Sequence, residues 1–278
     1  MKLRGAVAAL ICGLMFFGTL YAFQKPWHEY PAVEYNNFPA PPDHAVPAEW
    51  TFARIMYPPG PLDGYSSTGR FTGDYRLGLS LWTQDYPRAD RHLAQAIRRL
   101  SRIDTRSVEQ VTSLDDDDVF NFPWIYAVQV GEWGMTEKEG AKLREYLERG
   151  GFFMADDFHG NEEWAEFEHR IRFAFPDRQI LEMPDEDPYF HTVFDIDQKT
   201  QVVGADHLRQ GCKACANGGK GAHWRAIYDD KNRVMVGISY NSDMGDAWEY
   251  ADSPYYPEPM TGVATRIALN SIVYAMSH

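Results

Sequence analysis

Cysteine is scarce in this chain, with three residues in 278. Cys12 lies in an N-terminal apolar run, and neither Cys212 nor Cys215 sits at a sharp turn after a buried strand. A cysteine nucleophile of the elbow type is therefore excluded. G-x-S-x-G is absent as well, which removes its serine counterpart. Positive charge is thin: 27 Lys and Arg stand against 40 Asp and Glu, a formal net charge of −13. Such a surface repels nucleic acid and anionic lipid and favours neutral or cationic partners. No internal repeat is found, so solenoids and propellers are excluded.

What is present is enough for a folded core. Hydrophobic residues make up 44% and aromatics 14% of the chain, which rules out general disorder. Lys2 and Arg4 precede an uncharged apolar run from Gly5 to Phe23, about long enough to span a bilayer. A cleaved signal peptide and an uncleaved anchor both fit residues 1–23. The large Leu20 at the minus-three position of Leu20-Tyr21-Ala22 favours the anchor, and the leading positive charges orient the remainder outward. We therefore expect an exported protein, periplasmic or on the extracellular face, held to the cytoplasmic membrane. Residues 24–48 carry Pro26, Pro31, Pro39, Pro41, Pro42 and Pro47 and predict an extended tether. A single domain then fills 49–278.

Within that domain strands alternate with helices, the pattern of an α/β fold with a mainly parallel sheet and helices on both faces. Strands are expected over 51–57, 76–82, 107–114, 122–130, 152–155 and 178–183. Between them, Asp85 caps a helix with Ala89, Leu93, Ala96, Ile97 and Leu100 on one stripe. Thr136 and Glu139 form a T-x-x-E capping box before Leu143, Tyr146 and Leu147, and Gly150 and Gly151 close that helix. Asn161 opens another with Trp164, Phe167, Ile171 and Ala174. The last third predicts a hairpin over 224–240, turning at Asp229 to Asn232, and a terminal helix over 261–276.

Chemistry concentrates in GGFFMADDFHG (150–160). FFMA reads as a strand covered on both faces, which places Asp156 and Asp157 just past its carboxyl end, where open α/β sheets bind ligands. Side chains alternate along a strand, so one of the two carboxylates is expected to face a crevice, with His159 as base or metal ligand. The plainer alternative is a pair of aspartates capping a helix or bonding backbone amides. NSDMGDAWE (241–249) follows another strand and could add Asp243 and Asp246, with Trp248 as a stacking surface; a turn at Gly245 is the alternative. Arg54, on the first strand, and Asp85 complete the candidate ligand-binding set. Arg54 could instead form a buried ion pair.

Two further segments carry potential ligands. His207, Cys212, Cys215 and His223 read H-x4-C-x2-C-x7-H, donors that zinc accepts at a spacing that matches no familiar finger; a small disulfide loop is the other reading. The segment lacks the histidine of a c-type haem motif, because Ala216 stands there. LDDDDVF (114–120) lacks the alternation and glycine of a calcium loop and reads as a solvated loop.

Taken in order, F-A-R-I-x-Y (52–57), W-T-Q-D-Y-P (82–87), F-x-F-P-W-I-Y (120–126), L-R-E-Y-L-E-R-G-G-F-F-M-A-D-D (143–157) and G-D-A-W-E (245–249) resemble the bacterial domain-of-unknown-function family 4159. The resemblance runs from about Trp50 to the C-terminus. It implies a flavodoxin-like sandwich related to class I glutamine amidotransferases, in many members anchored to a membrane. It implies no glutaminase activity, since this chain matches neither the elbow cysteine nor its partner histidine. Asp185-Glu186-Asp187-Pro188 also stands where the family pattern suggests Asp-His-Pro. Two functions remain open from sequence. One is a non-catalytic binding or scaffolding module for a small polar ligand or a partner protein. The other is a metal-dependent hydrolase built on the Asp/Asp/His cluster.

Overall fold

The computed structural model describes residues 25–32, 39–63, 73–197, 199–212 and 221–278. Seven strands form one sheet: β1 (Ala53–Met56), β2 (Gln110–Ser113), β3 (Trp124–Ala127), β4 (Phe152–Ala155), β5 (Leu181–Glu182), β6 (His223–Tyr228) and β7 (Val234–Tyr240). Their order is β2-β1-β3-β4-β7-β6-β5. The first five in that order are mutually parallel, whereas β6 and β5 are antiparallel additions at one edge. The chain runs outward from β1 to β2 and then reverses to β3, so the sheet has a switch point between β1 and β3.

Every residue of β4 is buried, as expected of a strand covered on both faces. Phe153 and Ala155 pack with α2 (Glu137–Glu148) and α3 (Gly160–Ile171) on one side. Phe152 and Met154 pack on the other, with α1 (Arg88–Leu100), α5 (Met244–Glu249) and α6 (Glu258–Ser277). A short helix, α4 (Ala205–Arg209), lies in the long connection between β5 and β6. Local chemistry accounts for the helix ends. Thr136 accepts from the Glu139 amide while the Glu139 carboxylate accepts from the Thr136 amide, closing the capping box that starts α2. Gly150, at φ +107, ends it in the left-handed region that costs a residue without Cβ nothing.

Several local expectations are corrected. Residues 76–82 form two 3₁₀ turns, Tyr75–Leu77 and Leu81–Thr83, and no strand. The apparent alternation misled because Gly78 and Leu79 both take positive φ, leaving Leu77 exposed while Leu81 and Trp82 turn inward. The stretch 178–183 shortens to Leu181–Glu182, an exposed antiparallel edge. Asp85 is not the N-cap of α1; Pro87 holds that position, after a cis Tyr86-Pro87 bond. LDDDDVF is solvated only in part: Asp115 and Asp117 are exposed and pair with Lys138 and Lys142, whereas Asp116 caps a 3₁₀ turn over Asp117–Asn121 and Asp118 is buried.

The N-terminal apolar run lies outside the described residues, and among those described no helix is long and apolar enough to cross a membrane. The described parts of the proline-rich stretch do not stand off from the domain. Lys25 pairs with Asp116, Glu29 with Arg91, and Asp43 with Arg98. The Tyr30 ring sits edge-on to Trp82, its centroid 5.2 Å away. Those described parts form a strap along the domain, without regular structure at 25–32 and turning at 42–45, where the His44 and Val46 amides donate to the Pro41 and Asp43 carbonyls.

Candidate functional site

The carboxyl ends of β3, β4 and β7 meet α5 and α4 around a cavity of about 320 Å³. Each strand exit is marked by a residue other than glycine in the left-handed region: Gln129 (φ +54), Asp157 (φ +53) and Asn241 (φ +62). Asp85, at φ +61, repeats the conformation in the loop ahead of α1. Side chains other than Gly rarely occupy this region without tertiary support, and such positions gather at functional sites.

Asp156 and Asp157 divide as the pleat dictates. Asp156 continues the alternation of β4 toward α5 and is sealed in, with no solvent exposure. Its Oδ2 accepts from Tyr126 Oη at 2.8 Å and from the amides of Met244 and Gly245 at 3.0 and 3.1 Å. Ser239 donates to its other oxygen. Asp156 therefore stitches the start of α5 onto the sheet. Burial and the nearby Asp157 raise its pKa to about 7, against the pull of those donors.

Asp157 turns into the cavity. Gln129 Nε2 donates to its Oδ2 at 2.7 Å, and His159 Nε2 lies 3.0 Å from its Oδ1. His159 is 6% exposed, and its Nδ1 has no hydrogen-bond partner among the described residues. Burial holds the imidazole below its usual pKa. In the neutral ring, donation from Nε2 to Asp157 leaves the lone pair on Nδ1.

The remaining carboxylates arrive from α5 and the 84–86 loop. Asp243 caps α5 by accepting from the Asp246 amide at 2.8 Å. Its pKa stands well above the carboxylate range, first from burial and then from Asp157, Asp246, Asp85 and Asp156. Asp246 Oδ2 accepts from the Ala205 amide at 2.6 Å, and burial raises it too. Asp85, Asp157 and Asp243 each offer an oxygen, and the three oxygens lie within 4.8 Å of one another.

Gly204 and Gly245 let the backbone come this close. A Cβ on Gly204 would lie 2.6 Å from Asp243 Oδ2, 3.0 Å from Asp246 Oδ2 and 3.4 Å from His207 Nδ1. On Gly245 it would lie 2.0 Å from Asp85 Oδ2. Gly245 thus serves a close approach inside a helix, in place of the turn read from sequence. Gly245→Ala is expected to cost about 1–3 kcal/mol by overpacking; a melting temperature equal to the parent's would show that Asp85 simply steps aside.

Other candidates have different roles. Arg54 is fully buried and reaches none of the cavity. Its Nε and Nη2 bind the Asp90 carboxylate, with Nη2 to Oδ1 at 2.5 Å, and Nη1 donates to the carbonyls of Trp82 and Gln84 at 3.0 Å. Burial alone would lower its pKa; Asp90 more than offsets this and holds it charged. Arg54 therefore steadies the turn that presents Asp85. Trp248 is 1% exposed and packs on Phe52 and Tyr126, so it offers no stacking surface.

Three of the four residues read as zinc donors lie among the described residues. His207 lines the acidic cavity, its ring 6.3 Å from His159. His223 sits on β6 beside Glu182 and Tyr240. Cys212 is disulfide-bonded, which leaves it no thiolate for a metal, and Cys215 lies outside the described residues. Sequence reading missed Gln129, Glu163 and Glu249. Of these, Glu249 had a signal: three residues after Asp246 on a helix, it shares that residue's face.

A family model described as a domain of unknown function (DUF4159) matches residues 75–276. The chain belongs to the DUF4159 family. Asp85, Asp157, His159, Asp243, Asp246 and Glu249 all fall inside the matched segment, whereas β1 with Arg54 lies ahead of it. No curated protein matches the chain.

Proposed function

We propose that this domain binds a divalent cation at the carboxyl edge of its sheet and uses it as a metal-dependent hydrolase. The observation that carries the reading is the convergence of Asp85, Asp157 and Asp243 oxygens within 4.8 Å of one another, with His159 Nε2 against Asp157. Carboxylate oxygens suit magnesium, calcium or manganese. A cation held here would lower the pKa of a bound water and supply the nucleophile that the chain does not provide as Ser or Cys. The cavity above the carboxylates leaves room for a small substrate.

The strand order 2-1-3-4-7 supports a flavodoxin-like assignment, with β7 in the place of the fifth strand and β6 and β5 appended. Export and anchoring are supported by Lys2, Arg4 and the apolar run, and by the disulfide at Cys212. A non-catalytic binding or scaffolding module would share the same pocket, and metal-dependent turnover separates the two.

The test is manganese binding to chelator-treated, dialysed protein, followed by a broad hydrolase panel with and without the metal. Wild type should retain manganese and turn over a substrate that EDTA protects. Asp157→Asn should bind at least tenfold more weakly with unchanged circular dichroism. Protein that stays metal-free sinks the reading, and bound metal without any turnover leaves the binding-module alternative.

A further inference from the structure

A smaller hollow of about 140 Å³ lies beside the acidic cavity, lined by Leu208, Ser253, Tyr255 and Tyr256. Ala205, Arg209 and Tyr250 line both, so cavity and groove adjoin across α4 and the turn that follows α5. That turn is held from within. The amides of Ser253 and Tyr256 donate to the carbonyls of Tyr250 and Ser253, and the Tyr255 amide donates to Ser253 Oγ at 3.3 Å. Tyr256 is buried, with its hydroxyl on the Val203 carbonyl at 2.8 Å and its ring stacked on Tyr250 at a centroid separation of 6.1 Å. Tyr255 is 94% exposed. Single exposed apolar side chains are common on protein surfaces. This one stands on a hydrogen-bonded turn and lines the groove that continues a polar cavity.

The groups around the two hollows select the ligand's chemistry. Glu132, Asp157, Glu163, Asp243 and Asp246 line the cavity and repel an anionic chain. Arg209 stands where cavity and groove meet, 5.3 Å over the Tyr250 ring and paired with Asp206. A cationic chain passing from one hollow to the other would meet that guanidinium. Gln84, Gln129 and the carboxylates offer polar partners that a lipid cannot use. A peptide strand would need free main-chain groups, and the amides of the turn are spent within it. What remains is a neutral chain of hydroxyl-bearing rings. We propose that the substrate of this site is a neutral oligosaccharide, with one sugar in the acidic cavity and the next against the Tyr255 ring. This rests on the reading of the cavity as the substrate site and names the substrate's class. Sugar hydroxyls bond to carboxylates, amides and the guanidinium, while a tyrosine ring gives a sugar face rigid contact area at little cost in entropy.

Calorimetric titration of the full-length protein tests this, in manganese and in EDTA. The probes are chitotetraose, cellotetraose and maltotetraose, their monosaccharides, and tetralysine. Wild type should bind one of the tetrasaccharides about tenfold more tightly than its monosaccharide, the gain coming from the second subsite. Tyr255→Ala should lower the tetrasaccharide affinity to the monosaccharide level, with manganese uptake and circular dichroism unchanged, and Tyr255→Phe should keep the wild-type affinity. Three results overturn the inference: no tetrasaccharide bound, equal affinity for tetrasaccharide and monosaccharide, or wild-type affinity in Tyr255→Ala. Tetralysine bound in place of the sugars overturns it too, and assigns the groove to a cationic peptide. Manganese uptake without sugar binding strikes the subsite and leaves the cation. Sugar binding that Tyr255→Ala weakens, in protein that takes up no manganese, upholds the subsite and strikes the hydrolase.

Discussion

In the absence of divalent cations the domain is expected to be more stable near pH 5 than near pH 8. Asp156 titrates at about 7 in the fold against an ordinary 3.8. Between those values the folded state holds a proton that the unfolded state has released. Stability therefore falls as pH rises through that window and levels off above it. Asp243 and Asp246 are shifted in the same direction and add to the slope. Carboxylates shifted the other way, such as Asp116 and Asp229, titrate below their ordinary value and do not oppose it. His159 and His207, held below the ordinary imidazole value of 6.5, oppose it on the acid side of that value and offset part of the effect. Asp156 alone contributes on the order of 3 kcal/mol, which corresponds to about 6–12 °C in melting temperature for a domain of this size. A saturating divalent cation should recover most of that loss near pH 8, because it stabilises the ionised carboxylates only in the folded state. Thermal melts at both pH values, in EDTA and in manganese, check the prediction. Greater stability near pH 8 in EDTA would show that these carboxylates are ionised and already compensated.

Arg54→Met is expected to be the most damaging single substitution on the other side of this site. It strands the Asp90 carboxylate in a fully buried position and frees the carbonyls of Trp82 and Gln84. Removing one partner of such a pair costs about 3–5 kcal/mol. Replacing both charges with apolar side chains is far milder, so Arg54→Met with Asp90→Leu should regain most of the stability. It should not regain the placement of Asp85, because the guanidinium that held the 82–84 turn is gone. Urea unfolding of the parent and the two variants measures the first effect, and manganese titration of the double variant measures the second. A single-variant loss below about 1 kcal/mol would show that water reaches Asp90.

Features with a local cause were legible in the sequence. The capping box of α2, the four apolar residues of β4 and the hairpin each depend on neighbours a few residues away, and they appear within a residue or two of their expected bounds. The strand expected over 76–82 failed because alternation in sequence means alternation of faces only along an extended backbone, and Gly78 and Leu79 break it. The site was half legible. Asp156, Asp157 and His159 sit where a strand end predicts, and Asp243 and Asp246 follow a second strand end. What no spacing could supply was the partition of labour: Asp156 spends its oxygens on the amides that begin α5, while Asp157 faces the cavity. Glu249 required knowing that 244–249 is helical, and the role of Arg54 required knowing that Asp90 lies opposite it.

The strap joins parts of the fold that lie far apart in the chain. Lys25 reaches Asp116 ahead of β3, Glu29 reaches Arg91 on α1, and Asp43 reaches Arg98 farther along the same helix. Its Tyr30 also covers one edge of the buried Trp82. A chain cut back to Glu49 would leave those three carriers of charge facing water and open that flank of the core, so the segment ahead of β1 is part of the folded unit.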